Sequence, residues 1–96
     1  MLIQLKKLEI INEGYGKTSV NLNKVFINPT HIISVTDYDG ITDFLLKEGK
    51  VDYQDNRYSL LRLSVANKIE EIIVLGDSEE VYSRVQGPSG KVLLND

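Results

Sequence analysis

The chain has ninety-six residues, no cysteine and a formal net charge of −3, which makes one small domain. This excludes a disulfide framework and a thiolate metal site, and it weighs against a general nucleic-acid binder, which carries a strong basic excess. Its 42% apolar and 26% charged residues are a soluble globular balance, with no apolar run long enough for a membrane-spanning helix.

The opening, Met1-Leu2-Ile3-Gln4-Leu5-Lys6-Lys7, puts charge after the apolar residues, the reverse of a secretory signal. With the missing cysteines this predicts a cytoplasmic location. Residues 2–11 are apolar at 2, 3, 5, 8, 10 and 11, which predicts a long strand in preference to an amphipathic helix. Asn12-Glu13-Gly14-Tyr15-Gly16 reads as a loop, because two glycines supply unusual backbone angles. Weak alternation over 18–22 and the apolar run 25–27 predict two short strands. Asn28-Pro29 ends the second, since proline cannot donate to a ladder.

Residues 30–37 resume as a strand rich in β-branched side chains. Asp39-Gly40 predicts a tight hairpin into a strand over 41–46, because a type I′ turn needs positive φ at both central positions. Residues 47–57 are polar and read as a loop, with room for a short strand at 51–53. Leu61, Leu63 and Val65 alternate as one face of a strand over 58–65, Asn67-Lys68 turns the chain, and a partner strand follows over 69–75. Asp77 followed three residues later by Glu80 has the spacing of a capping box, with Ser78 as the alternative cap. It starts a helix over 77–86 with Val81, Tyr82 and Val85 as its apolar stripe, stopped by Gly87-Pro88. Residues 89–96 form a tail whose Val92, Leu93 and Leu94 should pack on a partner or on the sheet.

The order Phe26-Ile27-Asn28-Pro29, Ile32-Ile33 and Ser78-Glu79-Glu80-Val81 resembles the FlbD-type proteins of flagellar operons and their small prophage relatives. The resemblance covers residues 25–86 and implies a small β-rich protein of phage or prophage type. The chain departs from it by longer strands, an insertion around 51–57 and the C-terminal tail. The opening Met1-Leu2-Ile3 and the segment 79–86 are also similar to the ends of CsrA-type RNA-binding proteins, whose central strands do not match.

Four constellations carry possible chemistry. Gly14-Tyr15-Gly16-Lys17-Thr18 ends like a phosphate-binding loop, but the glycine needed five residues before Gly16 is replaced by Ile11, and a plain β-turn explains it better. Asp37, Asp39, Asp43 and Glu48 have calcium-loop offsets, yet the glycine is misplaced and Ile41 occupies a ligand position. His31 is the only histidine and lacks the partners a general base or metal ligand needs. Tyr38, Tyr53 and Tyr58, with Arg57, form a tyrosine-rich set of the residue types that anchor binding surfaces. The bland alternative is that Tyr58 opens a strand and Tyr53 covers its edge.

The combined expectation is a mainly β domain with one C-terminal helix (α+β), a small antiparallel curled sheet or barrel over residues 1–88, followed by the tail 89–96. No catalytic set, metal site or cofactor motif is read. The expected function is a small non-enzymatic interaction protein that forms homo-oligomers. It would bind a protein partner or small ligand through Tyr38, Tyr53, Arg57 and Tyr58, with Val92, Leu93 and Leu94 as a docking tail. The alternative is a CsrA-like nucleic-acid-binding regulator, in which Lys6, Lys7, Lys17 and Lys24 would form one basic face if the first strands pair. A carboxylate hydrolase would need two acids with separated pKa values in a cleft.

Overall fold

The computed structural model describes residues 1–47 and 56–93, with the side chains of residues 42, 46 and 87–93 outside that description. Five strands, β1 (Ile3–Gly14), β2 (Lys17–Ile27), β3 (Ile32–Asp37), β4 (Tyr58–Val65) and β5 (Lys68–Leu75), form one curled, unclosed antiparallel sheet in the order β2-β1-β5-β4-β3. The mainly β expectation holds, as a curled sheet rather than a barrel. Helix α1 (Gly40–Lys47) and helix α2 (Ser78–Leu93) complete it, and a short 3-10 turn (Pro29–His31) joins β2 to β3.

β1 and β2 make one long hairpin in which Ile3 pairs with Ile27 and Leu8 with Leu22. The two short strands expected over 18–27 are therefore a single strand, held by continuous pairing to β1. At its tip Gly14, Tyr15 and Gly16 all have positive φ (84°, 51° and 75°), and the Gly14 N–H donates to Asn12 Oδ1 at 3.1 Å. A strand, not a helix, follows Gly16-Lys17-Thr18. That removes the phosphate-loop reading, which depends on a helix N-terminus after the glycines. β1 meets β5 at one paired position, Lys7 with Val74.

Each face of the sheet carries its own apolar cluster, because side chains alternate along a strand. On one face Ile3, Leu5, Ile27, Leu61, Leu63 and Val74 pack under Val81 of α2. On the other Leu8, Val20 and Tyr58 pack with Ile41 and Leu45 of α1. The run Ile72-Ile73-Val74-Leu75 is apolar without alternation for this reason: Ile72 and Val74 join the first cluster, Ile73 and Leu75 the second.

α1 replaces the expected hairpin strand at 41–46. Ile41, Phe44 and Leu45 stand at i, i+3 and i+4, a helical spacing that gathers them on one side, with Asp43 in the first turn and Lys47 in the last. As a strand the same residues would have placed Asp43 between Ile41 and Leu45 on one face. The tight turn with positive φ at two central positions occurs instead at Ala66 (50°) and Asn67 (65°), between β4 and β5.

α2 begins where the sequence places it. The Asp77 carbonyl accepts from Val81 N–H at 3.0 Å and its Oδ1 accepts from Glu80 N–H at 2.8 Å. The helical backbone then runs through Gly87-Pro88 to Leu93, where a stop and a tail from residue 89 were expected. A proline inside a helix forfeits one main-chain hydrogen bond and crowds the carbonyl four residues earlier; the bonds on either side can still form. Val92 and Leu93 thus lie on the last turn of α2, and Leu94 is outside the described residues.

Candidate functional site

β3 is an edge strand. One side pairs with β4, and among the described residues no strand pairs with the other. The register slips between Ile32 and Ser34, so Ile33 is the extra residue of a β-bulge. Its side chain is 52% exposed.

α2 packs on one face of the sheet and is fastened on both flanks. On the β3 side Ser78 N–H donates to Asp37 Oδ1 at 2.8 Å; on the β1 side Arg84 Nη1 donates to the Gln4 carbonyl at 3.4 Å. Val81, 1% exposed, anchors the helix in the core between those two ties. The helix stripe read from the sequence is therefore split. Val81 faces the sheet, while Tyr82 stays 45% exposed at the margin.

Between β3 and α2 runs an open groove of about 420 Å³, with Pro29, Ile33 and Val35 on the strand side and Tyr82, Val85 and Glu79 on the helix side. A volume in this range accommodates several side chains. Among the described residues the lining is mainly apolar and holds one carboxylate, Glu79, and no basic side chain. At one end, where β3 finishes and α2 starts, lies a polar cleft of about 350 Å³ lined by Asp37, Asp39, Arg57, Tyr58 and Asp77. The Ser78 N–H, and after it the Ser78 hydroxyl, hold the Asp37 carboxylate below its ordinary value of 3.8, with Arg57 contributing at longer range. Arg57 Nη1 lies 3.8 Å from Asp77 Oδ2, a long contact whose arginine is exposed, an arrangement that contributes little to stability.

Of the four residues that the sequence marked for binding, Arg57 and Tyr58 line the cleft and Tyr38 lies beside them. Tyr38 N–H donates to the Tyr58 carbonyl at 2.9 Å, and Arg57 immediately precedes β4. Tyr58 is a core residue, 3% exposed against Ile41 and Leu45, so its ring is not presented to a partner. Tyr38 packs against the same cluster, close over Gly40, where a Cβ would come 3.1 Å from its ring. Arg57 alone of the three is well exposed, and Tyr53 is outside the described residues.

The remaining candidates are dispersed. His31 closes the 3-10 turn, exposed, its N–H donating to the Asn28 carbonyl at 3.0 Å. Of the calcium-loop set, Asp37 is engaged by Ser78, Asp43 sits in α1 and Glu48 is outside the described residues. Among the described residues no group of three or more histidine or carboxylate side chains is placed to hold a metal. Lys6 pairs directly with Lys24 across β1 and β2, but Lys7, next along the strand, projects to the opposite side of the sheet. Lys17 lies at the hairpin tip, so the four lysines do not share one face.

Sequence reasoning missed the groove because Ile33 reads as an ordinary strand residue and only the bulge turns it outward. Tyr82 did carry a signal. It is adjacent to Val81, and a helix with one buried stripe cannot bury both fully. Compared with protein-family models, curated proteins and solved structures, the chain matches none. No helix among the described residues is long and apolar enough to cross a membrane.

Proposed function

We propose that this is a small non-enzymatic interaction protein, of the phage or prophage type that its resemblance implies, and that it docks a protein partner in the groove between β3 and α2. The observation that carries the reading is a strand edge that no described strand pairs, beside an apolar groove in which Ile33 and Tyr82 are each about half exposed. An edge of this kind offers free main-chain donors and acceptors, and the groove offers side-chain recognition. An extended segment of another protein uses the two together when it adds a strand to a sheet. Aromatic anchors near the centre of such a surface supply much of the binding free energy, the role this reading gives to Tyr82.

The test is site-specific photo-crosslinking in expressing cells. A photoreactive residue is placed at Tyr82 in one variant and at Tyr15, the fully exposed hairpin tip, in another. The reading expects a discrete protein adduct from position 82, lost when Ile33→Arg is added, and none from position 15. Adducts from position 15 alone, or adducts at 82 that survive Ile33→Arg, would contradict it.

A further inference from the structure

We infer that the occupant of the β3–α2 groove is an extended peptide with apolar residues at alternate positions and a lysine or arginine at the end that meets Asp37 and Glu79. The inference rests on the docking reading above and adds the chemistry of the partner. Three observations carry it. First, a segment paired to the edge of β3 that no described strand occupies is itself a strand, so every second side chain, about 6.6 Å apart, projects to the side on which α2 lies. Second, that side is apolar along Pro29, Ile33, Tyr82 and Val85, which selects apolar side chains at those alternate positions.

Third, the charge is uneven. Among the described residues the groove holds Glu79 and no basic side chain, and at the end of β3 it is followed by Asp37, Asp39 and Asp77 against a single guanidinium, Arg57. Arg57 is already beside Asp77. A helix start ordinarily favours anions, because its free N–H groups carry partial positive charge. Here the N–H groups of Ser78 and Glu80 are taken by Asp37 and Asp77, so this end of the groove presents carboxylates. Complementary charge at such a rim fixes the register of the incoming strand and disfavours acidic competitors.

A random dodecamer display library selected against the full-length chain tests this directly. Enriched peptides are synthesised and titrated against wild type, Ile33→Arg and Glu79→Lys. Both substitutions fall on exposed side chains, and circular dichroism confirms that the variants are folded. The inference expects alternating apolar residues with a terminal lysine or arginine. It expects affinity to fall by about tenfold or more in Ile33→Arg and by several-fold in Glu79→Lys, the scale of losing one anchor and one charge contact.

Peptides that depend on Ile33 but lack a basic end, or that bind Glu79→Lys as well as wild type, would overturn the inference while leaving the docking reading intact. Peptides that bind Ile33→Arg undiminished would overturn the docking reading itself. So would the absence of any enriched peptide in a chain that stays monomeric. If no peptide is enriched but the chain dimerises at micromolar concentration and Ile33→Arg abolishes the dimer, the occupant is a second copy and the peptide assignment is wrong.

Discussion

The N–H of Ser78, first residue of α2, donates to the carboxylate of Asp37, last residue of β3, at 2.8 Å across forty-one positions of sequence. The bond sets where the helix starts relative to the edge strand and so sets one end of the groove. Asp37 has a lowered folded pKa, which fixes the direction of its pH dependence. Its contribution is present above the unfolded carboxylate value and is lost as pH falls through the folded one. Followed by NMR, the Ser78 amide should titrate with a midpoint below 3.8, and Asp37→Asn should abolish that titration. A midpoint at or above the ordinary value would mean that the bond does not form in solution.

Ser59 is completely buried, and its hydroxyl donates to the Gly76 carbonyl at 2.7 Å, while Gly76 N–H donates to the Arg57 carbonyl at 2.7 Å. Gly76 has φ of +110°, a region that side-chain-bearing residues rarely adopt, and this pair of bonds fixes the corner between β5 and α2. Ser59→Ala leaves a buried acceptor unpaired and should cost about 1–3 kcal/mol in urea denaturation. A loss within about 0.3 kcal/mol would mean that water replaces the hydroxyl there.

Leu45 is fully buried on the face opposite α2, and it reaches that position only because 40–47 is a helix. Leu45→Ala should destabilise the domain by about 2–5 kcal/mol, the usual range for a core leucine. Asp43, exposed on the same helix, is the control. Asp43→Ala should change stability by less than about 0.5 kcal/mol. In the strand alternative, where residues 43 and 45 share a face, the two substitutions would not separate so sharply.

The β4–β5 turn holds Ala66 at φ +50°, where an alanine pays a left-handed penalty that asparagine largely avoids. Ala66→Asn should therefore raise the unfolding free energy by about 1 kcal/mol. An unchanged or lowered melting temperature would indicate a different turn in solution.

The strands were legible where apolar residues alternate or run together between turn residues, as over 58–65 and 69–75, and the α2 start was legible because Asp77 and Glu80 carry their own capping chemistry. Residues 40–47 misled because Asp39-Gly40 is a strong hairpin signal and a short apolar run fits either period. The i, i+3, i+4 spacing of Ile41, Phe44 and Leu45 was the discriminating clue. Residues 38, 57 and 58 lie close together because β3 ends beside the start of β4, but the burial of Tyr58 depends on α1, which the sequence reading lacked. The groove was the least legible feature. It arises from a bulge at Ile33 and from the long-range bond between Asp37 and Ser78, and neither leaves a local pattern in the chain.

The central claim is that β3 accepts an added strand, and residue-resolved amide hydrogen exchange tests it most directly. The full-length chain is measured alone and saturated with the most enriched basic, apolar peptide. The account predicts that amides of Ile32–Asp37 slow markedly on binding while those of β2, at the opposite edge, keep their rates. Unchanged exchange across β3, or slowing confined to β2, would contradict it.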